Sequence, residues 1–196
     1  MRYFSGFTFS LLSLSFSLFV NAETEIGTLA KQGNVEGLKK LVSSGVNVDS
    51  VDKDSSWSYT PLILATKSEK RDVVKYLLEN NANPNLLDAA DSSALKYAVQ
   101  LGNYEIVKLL LEHKANPEVS TDDEGRSPLV WSILSVTGSD KTKYVNVDQE
   151  VKILNALVAA GAKCKENFGY EKTNLNERAK TADQKMYNAY KIACQK

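Results

Sequence analysis

Few side chains in this sequence could do chemistry. One residue of the 196 is a histidine, His113, and the helical zinc-hydrolase pattern requires more than one. The acidic run Asp122-Asp123-Glu124 could bind a cation weakly, but a solvated turn is the ordinary setting for such a run. The sequence contains no nucleophile elbow, glycine-rich phosphate loop or calcium-loop motif. We therefore expect no catalytic residues, no metal site and no cofactor, and we expect that the protein is not an enzyme.

The two cysteines, Cys164 and Cys194, are the other reactive side chains. Their chemistry depends on the compartment, because disulfides form and persist mainly outside the cytosol. In an exported chain they are expected to form one disulfide, and the alternative is a pair of unconnected buried thiols. A disulfide here would stabilise the fold by roughly 3.5 kcal/mol in the chain-entropy model.

The first 22 residues predict export. Arg2 precedes an uncharged run over 4–20 that is rich in Leu, Phe and Ser, and Val20-Asn21-Ala22 resembles a signal-peptidase site. We expect a cleavable signal peptide at 1–22 and a mature chain, 23–196, that is periplasmic or secreted, with no stable membrane anchor. The alternative is an uncleaved anchor, because the apolar run is only marginally short for a bilayer span.

The charge balance excludes two classes of partner. The sequence has 24 Lys and Arg against 24 Asp and Glu, and loss of Arg2 with the signal peptide leaves the mature chain close to neutral. Nucleic acids and anionic membranes are bound through an excess of positive charge, which this chain lacks. We therefore expect a protein partner and no nucleic acid.

A repeated motif decides the fold. Thr60-Pro61-Leu62-Ile63-Leu64-Ala65 recurs, at a spacing of roughly 33 residues, as 93–98 and again as 127–132. A second, apolar motif follows each copy, at 73–78, 106–111 and 153–158. Each unit therefore predicts two short helices, the first capped by the hydroxyl of Thr60 or Ser127 and often opened by proline. One such pair cannot bury its apolar stripe alone, so the copies must stack.

These motifs, TPLILA, SALKYA and SPLVWS with their LL and (G/N)AN-type turns, resemble the ankyrin repeat. The resemblance extends to a degenerate first unit around 29–46 and to a C-terminal cap beginning at Thr173. It implies an all-α ankyrin-repeat solenoid of about five helix-turn-helix units, including degenerate N- and C-terminal caps. The expected domain is 23–196, and its units are 25–59, 60–92, 93–126, 127–172 and 173–196.

Some positions depart from the family pattern. Glu69 and Val136 stand where the family usually has glycine, whereas Asn81 and Gly161 suit the left-handed turn that ends a second helix. An insertion at 137–149 is expected to loop out between the two helices of its unit. It is either a tolerated surface loop or a contact element peculiar to this protein.

The resemblance also implies a partner-binding surface, formed by the turn tips and the edges of the first helices. Aromatic and arginine side chains commonly anchor such surfaces. The alternative for Trp57 is local packing over the long turn between the first two units. The predicted partner-binding residues are Trp57, Tyr59, Lys67, Ala90, Ser92, Leu101, Glu124, Arg126, Tyr170 and Lys172.

The expected function is stoichiometric protein binding outside the cytoplasm. The resemblance to small exported bacterial-type ankyrin-repeat proteins implies an immunity protein that binds and inhibits a toxic effector. One alternative is an accessory protein that protects or stabilises a periplasmic enzyme. Another is a secreted effector that binds a host protein.

Overall fold

The computed structural model describes residues 24–51, 56–119, 126–137, 146–164, 167–168, 173–174, 177, 179–180 and 183–194. The predicted signal peptide lies outside these residues. The helices and strands, in chain order, are α1 (24–32), α2 (Val35–Ser43), α3 (Pro61–Lys67), α4 (Arg71–Glu79), α5 (Ala94–Gln100), α6 (Tyr104–Glu112), α7 (Pro128–Thr137), α8 (Val147–Ala159), β1 (Asn167–Phe168), β2 (Thr173–Asn174) and α9 (Gln184–Cys194).

The helices stack in two layers. The first helices of successive units, α3, α5 and α7, contact one another in order. The second helices α2, α4, α6 and α8 do the same, and α9 packs on α8. The predicted helical solenoid is confirmed, with one small addition, because β1 and β2 pair as a two-stranded antiparallel ladder near the C-terminal end.

The apolar stripes of the second helices form the core between the layers. In α4 the predicted stripe of Val74, Leu77 and Leu78 is buried. The same core continues from Ile26 in α1 to Tyr190 in α9. Because each stripe is covered by the neighbouring unit, no single helix pair could hold this core on its own.

Hydroxyl caps start two of the first helices. The Ile63 N–H donates to Thr60 Oγ1 (3.2 Å), and the Lys96 N–H donates in the same way to Ser93 Oγ (3.2 Å). The predicted cap is wrong for Ser127, whose hydroxyl oxygen is buried and has no hydrogen-bond partner in the described part of the chain. Its helix begins with Pro128, which has no N–H to satisfy.

The left-handed turns confirm the predictions at Asn81 (φ 65°) and Gly161 (φ 95°). Glu69 also has a positive φ (55°), at the position where the neighbouring unit has Gly102. A non-glycine residue is strained in this region, so Glu69 keeps the turn of the family at an energetic cost. Val136, by contrast, makes no such turn and lies inside α7.

The insertion is shared between helices, which corrects the prediction that it loops out as a whole. Helix α7 continues through Thr137, and α8 begins at Val147 after an Asn146 cap. Helix α8 has 13 residues where α4 and α6 have nine, so it absorbs 147–149. The helix can continue through Val136 because nothing at that position forces a left-handed turn. Residues 138–145 lie outside the described ones.

The connections between units share one hydrogen-bond pattern in their first halves. The side-chain oxygen of an asparagine accepts a hydrogen bond from the backbone N–H of the residue two positions later. The side chain of that later residue then accepts a hydrogen bond from a backbone N–H in the next unit. These inter-unit bonds join Asp49 to Asn83 N (3.1 Å), Asn85 to Asn116 N (2.7 Å) and Glu118 to Lys163 N (2.9 Å). We call these three bonds the inter-unit ladder.

The C-terminal cap is joined covalently to the array. A disulfide links Cys164, in the turn after α8, to Cys194 at the end of α9, as expected from the sequence. The buried side chains of Met186 and Tyr190 attach α9 to the core, and Lys185 forms an ion pair with Asp148 at the start of α8.

Candidate partner-binding surface

Two aromatic rings form an exposed stack at the connection between units one and two. The rings of Trp57 and Tyr59 lie parallel, 6° apart, with centroids separated by 6.2 Å. Trp57 is 54% exposed, whereas Tyr59 is half-buried. Stacking fixes both rings and leaves much of the Trp57 side chain open to solvent.

A third ring and a lysine extend this stack onto the first helices. Tyr97 of α5 meets Tyr59 edge-on, with centroids 6.4 Å apart. The ammonium of Lys67, at the end of α3, lies 3.8 Å from the Tyr97 centroid and 4.7 Å from that of Tyr59. Both distances are within the range of cation–π attraction, so the two rings position an exposed cation. We call Trp57, Tyr59, Lys67 and Tyr97 the aromatic–lysine surface.

A buried carboxylate holds Tyr97 in place. The Tyr97 hydroxyl donates to Asp88 Oδ2 (2.7 Å), and Asp88 Oδ1 accepts from the N–H groups of Ala90 (2.8 Å) and Ser92 (3.0 Å). Asp88 is only 5% exposed. Burial, followed by the bond to Asp88, raises the pKa of Tyr97 well above its ordinary value, so its hydroxyl remains a donor throughout the neutral range.

The backbone of Trp57 ties together two connections. The Ala89 N–H donates to the Trp57 carbonyl oxygen (3.0 Å), which joins the turn before unit two to the turn before unit three. The alternative of local packing therefore describes the backbone of Trp57 and its stack on Tyr59. Its exposed side chain still leaves a surface that a partner could contact.

The other predicted residues divide into three groups. Ala90 and Leu101 are exposed, Leu101 at 37%, and Arg126 is half-buried with its guanidinium 4.7 Å from the Trp131 centroid. Ser92 is a correction, because it is 5% exposed and its hydroxyl donates to the Ala90 carbonyl within the turn (3.2 Å). Three predicted residues lie outside the described part of the chain: Glu124, Tyr170 and Lys172.

The sequence interpretation missed Tyr97 and Asp88. The signal for Tyr97 was present in the repeat itself, since Tyr97 and Trp131 occupy the position that Leu64 has in unit two. An aromatic residue with a polar atom, substituted for leucine on a first helix, marks a place where the framework departs from its repeat. Asp88 had no such signal, because a single aspartate in a turn is ordinary.

A surface depression lies beside Tyr59. Its walls include Gly27, Thr28 and Lys31 of α1, together with Ser50 and Tyr59. The exposed Lys31 thus shares a surface with Tyr59. Lysines of the first two units therefore both lie near Tyr59.

Metal ligation and membrane insertion can be considered for the described residues. They contain no group of three or more His, Cys, Asp or Glu side chains that could hold a metal ion. Their helices include none long and apolar enough to cross a bilayer.

The stacked helix pairs, their left-handed turns and the tip surface define a class of repeat protein that binds other proteins. The family model for ankyrin repeats (3 copies) matches residues 26–123 and 86–167, well over half of the chain. The chain belongs to the ankyrin-repeat family, and its fold is an all-α ankyrin solenoid that serves as a protein–protein interaction module. Ankyrin-repeat proteins are generally binding modules without catalytic activity. A search of the curated proteins gave no match.

Proposed function

We propose that this protein acts outside the cytoplasm as a non-enzymatic binder that inhibits one protein partner, in the manner of an immunity protein. The observation that carries the proposal is the exposed Trp57 side chain, stacked on Tyr59 and presented by a rigid repeat framework. Tryptophan and tyrosine are enriched among the residues that dominate protein interfaces.

The order of the surface before binding supports a dedicated partner. Trp57 is held by its ring stack and by the bond to Ala89, and Tyr97 is held by Asp88. Side chains that are already fixed lose little conformational entropy when a partner binds. A surface of this kind favours one complementary face over many weakly matched ones.

Two features support a location outside the cytoplasm. The first is the signal-like sequence at 1–22. The second is the disulfide between Cys164 and Cys194, a bond that persists in oxidising compartments and is rare in the cytosol.

Binding of the partner at this surface would itself inhibit the partner. A partner whose active face is held against the aromatic–lysine surface is closed to its own substrate for as long as the complex lasts. The proposal therefore requires the loss of partner activity to track the fraction of partner that is bound.

The test begins with capture of partners from native extract on the immobilised protein, followed by assay of each purified partner. We expect one partner to lose its activity at stoichiometric ratio. The double variant Trp57→Ala/Tyr59→Ala should fail to inhibit it, whereas Ile192→Ala, which changes a 69% exposed side chain on α9, should inhibit fully.

Two results would contradict the proposal. A partner that keeps its activity longer in the complex would indicate a protective accessory protein instead. Full inhibition by the Trp57/Tyr59 variant would show that the partner binds elsewhere on the array.

A further inference from the structure

We infer that the aromatic–lysine surface, together with Lys31, binds an acidic segment of the partner protein, in which carboxylate side chains alternate with apolar ones. This inference rests on the proposed function, because it names the chemistry of the partner at the same surface. The carboxylates would meet the ammonium groups of Lys67 and Lys31, and the apolar side chains would lie against Trp57 and Tyr59.

The two lysines form a charged row at one end of the array. Lys31 and Lys67 occupy equivalent positions near the ends of the first helices of units one and two, and both are exposed. The next two units have Gln100 and Leu134 at this position. The positive charge of the row is therefore confined to the two units that also carry Trp57 and Tyr59.

Neither lysine forms an ion pair with a carboxylate in the part of the chain that the structure describes. The nearby carboxylate of Asp88 is already engaged by the Tyr97 hydroxyl and by two backbone N–H groups. Within the described residues no carboxylate therefore neutralises Lys31 or Lys67, and both ammonium groups are open to the carboxylates of a partner.

The lysines at one repeated position of the second helices differ in this respect. Each of three such lysines lies near a glutamate of its own helix: Lys39 with Glu36 (2.6 Å), Lys75 with Glu79 (3.8 Å) and Lys108 with Glu112 (3.8 Å). Among the described residues, these three lysines have a carboxylate partner on their own helix, whereas Lys31 and Lys67 beside the aromatic rings have none.

The rings also prepare Lys67 for a carboxylate. Its ammonium is held over Tyr97 and Tyr59, so its long side chain is ordered before a partner arrives. A carboxylate that joins it gains a charge-assisted hydrogen bond at a lower entropic cost than at a free surface lysine. The exposed Trp57 ring beside this cation accounts for the apolar neighbours in the inferred segment.

The probe for this inference is a capped synthetic peptide that alternates Asp with Leu, compared with a peptide that carries Asn in place of every Asp. Binding is followed by heteronuclear NMR of the purified protein. We expect the acidic peptide to shift the Trp57 indole and Lys67 signals, with loss of the effect at high salt, and the Asn peptide to leave them unchanged. Absence of shifts with the acidic peptide, or equal shifts with both peptides, would overturn the inference.

Lysine variants supply the second measurement. Lys31→Met/Lys67→Met keeps the apolar stems and should weaken binding of the acidic peptide about tenfold or more, whereas Lys75→Met on α4 should not. Unchanged binding by the double variant would refute the inference.

The same variants separate this inference from the proposed function. If Lys31→Met/Lys67→Met still inhibits the partner fully while Trp57→Ala/Tyr59→Ala does not, the acidic segment is wrong and the proposed function stands. If both variants inhibit fully, the proposed binding surface is wrong as well.

Discussion

The connection from one unit to the next has two halves that behave differently. The first half repeats one bonding pattern, in which Asp49, Asn85 and Glu118 each accept a hydrogen bond from the next unit. The second half changes from unit to unit: it carries Trp57 before unit two, but Ala90 before unit three. The repeated first half of each connection therefore contributes to stability, whereas the variable second half is available for recognition of a partner.

The connection that follows the last full unit does not keep the repeated residue of the first half. Lys165 stands at the next position of the inter-unit ladder, and a lysine side chain has no acceptor atom. Its neighbour Cys164 forms the disulfide to Cys194 instead. Where the sequence no longer supplies a side-chain acceptor, a covalent bond attaches the cap.

The disulfide carries the largest expected effect on stability. Cys164→Ser/Cys194→Ser should lower the free energy of unfolding by roughly 3.5 kcal/mol, because the open chain regains the entropy that the closed loop loses. Chemical denaturation with and without reductant measures this. The reduced native protein should match the double variant, and a variant as stable as the oxidised protein would show that the ladder and the core suffice to hold the cap.

The tip residues should affect binding and leave the fold intact. Trp57→Ala/Tyr59→Ala should weaken partner binding by about 2 kcal/mol or more, because large aromatic rings dominate interface energies. Titration calorimetry and thermal unfolding, run on the same samples, separate the two effects. A large fall in melting temperature with unchanged affinity would assign these rings to local packing.

Tyr97 belongs to the aromatic–lysine surface and also contributes to the stability of the fold. Tyr97→Phe should lower stability by about 1.5 kcal/mol at neutral pH, because it removes a hydrogen bond to the buried Asp88 carboxylate. The pKa of Tyr97 is raised in the folded chain, so the stability linked to its proton is present below a pH of about 10 and is lost as the pH rises above that value. Denaturation at a series of alkaline pH values should therefore show a shallower decline for the variant. Parallel declines would show that Tyr97 contributes nothing to the alkaline loss.

A ladder residue should have the smallest effect, and only on stability. Asn85→Ala leaves the Asn116 N–H without its protein partner and should cost about 1 kcal/mol, since water can reach the exposed site. The matched change in the second half, Ala90→Ser, should stay within about 0.5 kcal/mol. Equal losses at the two sites would remove the distinction between the halves, and urea denaturation is precise enough to decide.

The repeat predicted most of the fold because it fixes where helices start and which faces they bury. Thr60 caps its helix and Val74 lies in the core, as their types and spacing indicate. Ser127 has the same residue type as a good cap, yet its oxygen has no hydrogen-bond partner in the described part of the chain. A propensity states which bond a residue can make, whereas packing of the neighbouring unit decides whether it does.

The site was predicted less completely than the fold. Trp57 and Tyr59 were predicted because they interrupt a repeat, and their role in binding stays a prediction. Ser92 was predicted from its tip position, but its side chain is buried. The contact between Asp88 and Tyr97 depends on the path of the turn that joins them. Sequence spacing alone does not determine such a path.

The placement of the disulfide gives the array a mechanical polarity. A disulfide links the C-terminal cap to the preceding unit. Helices α1 and α2 are held to unit two by side-chain packing and by the exposed hydrogen bond between Asp49 and Asn83. Under tension applied at the two chain ends, we expect unit one to separate from unit two before the C-terminal cap separates from its neighbour. A partner that contacts both Lys31 and Lys67 would hold units one and two together and so oppose this first separation.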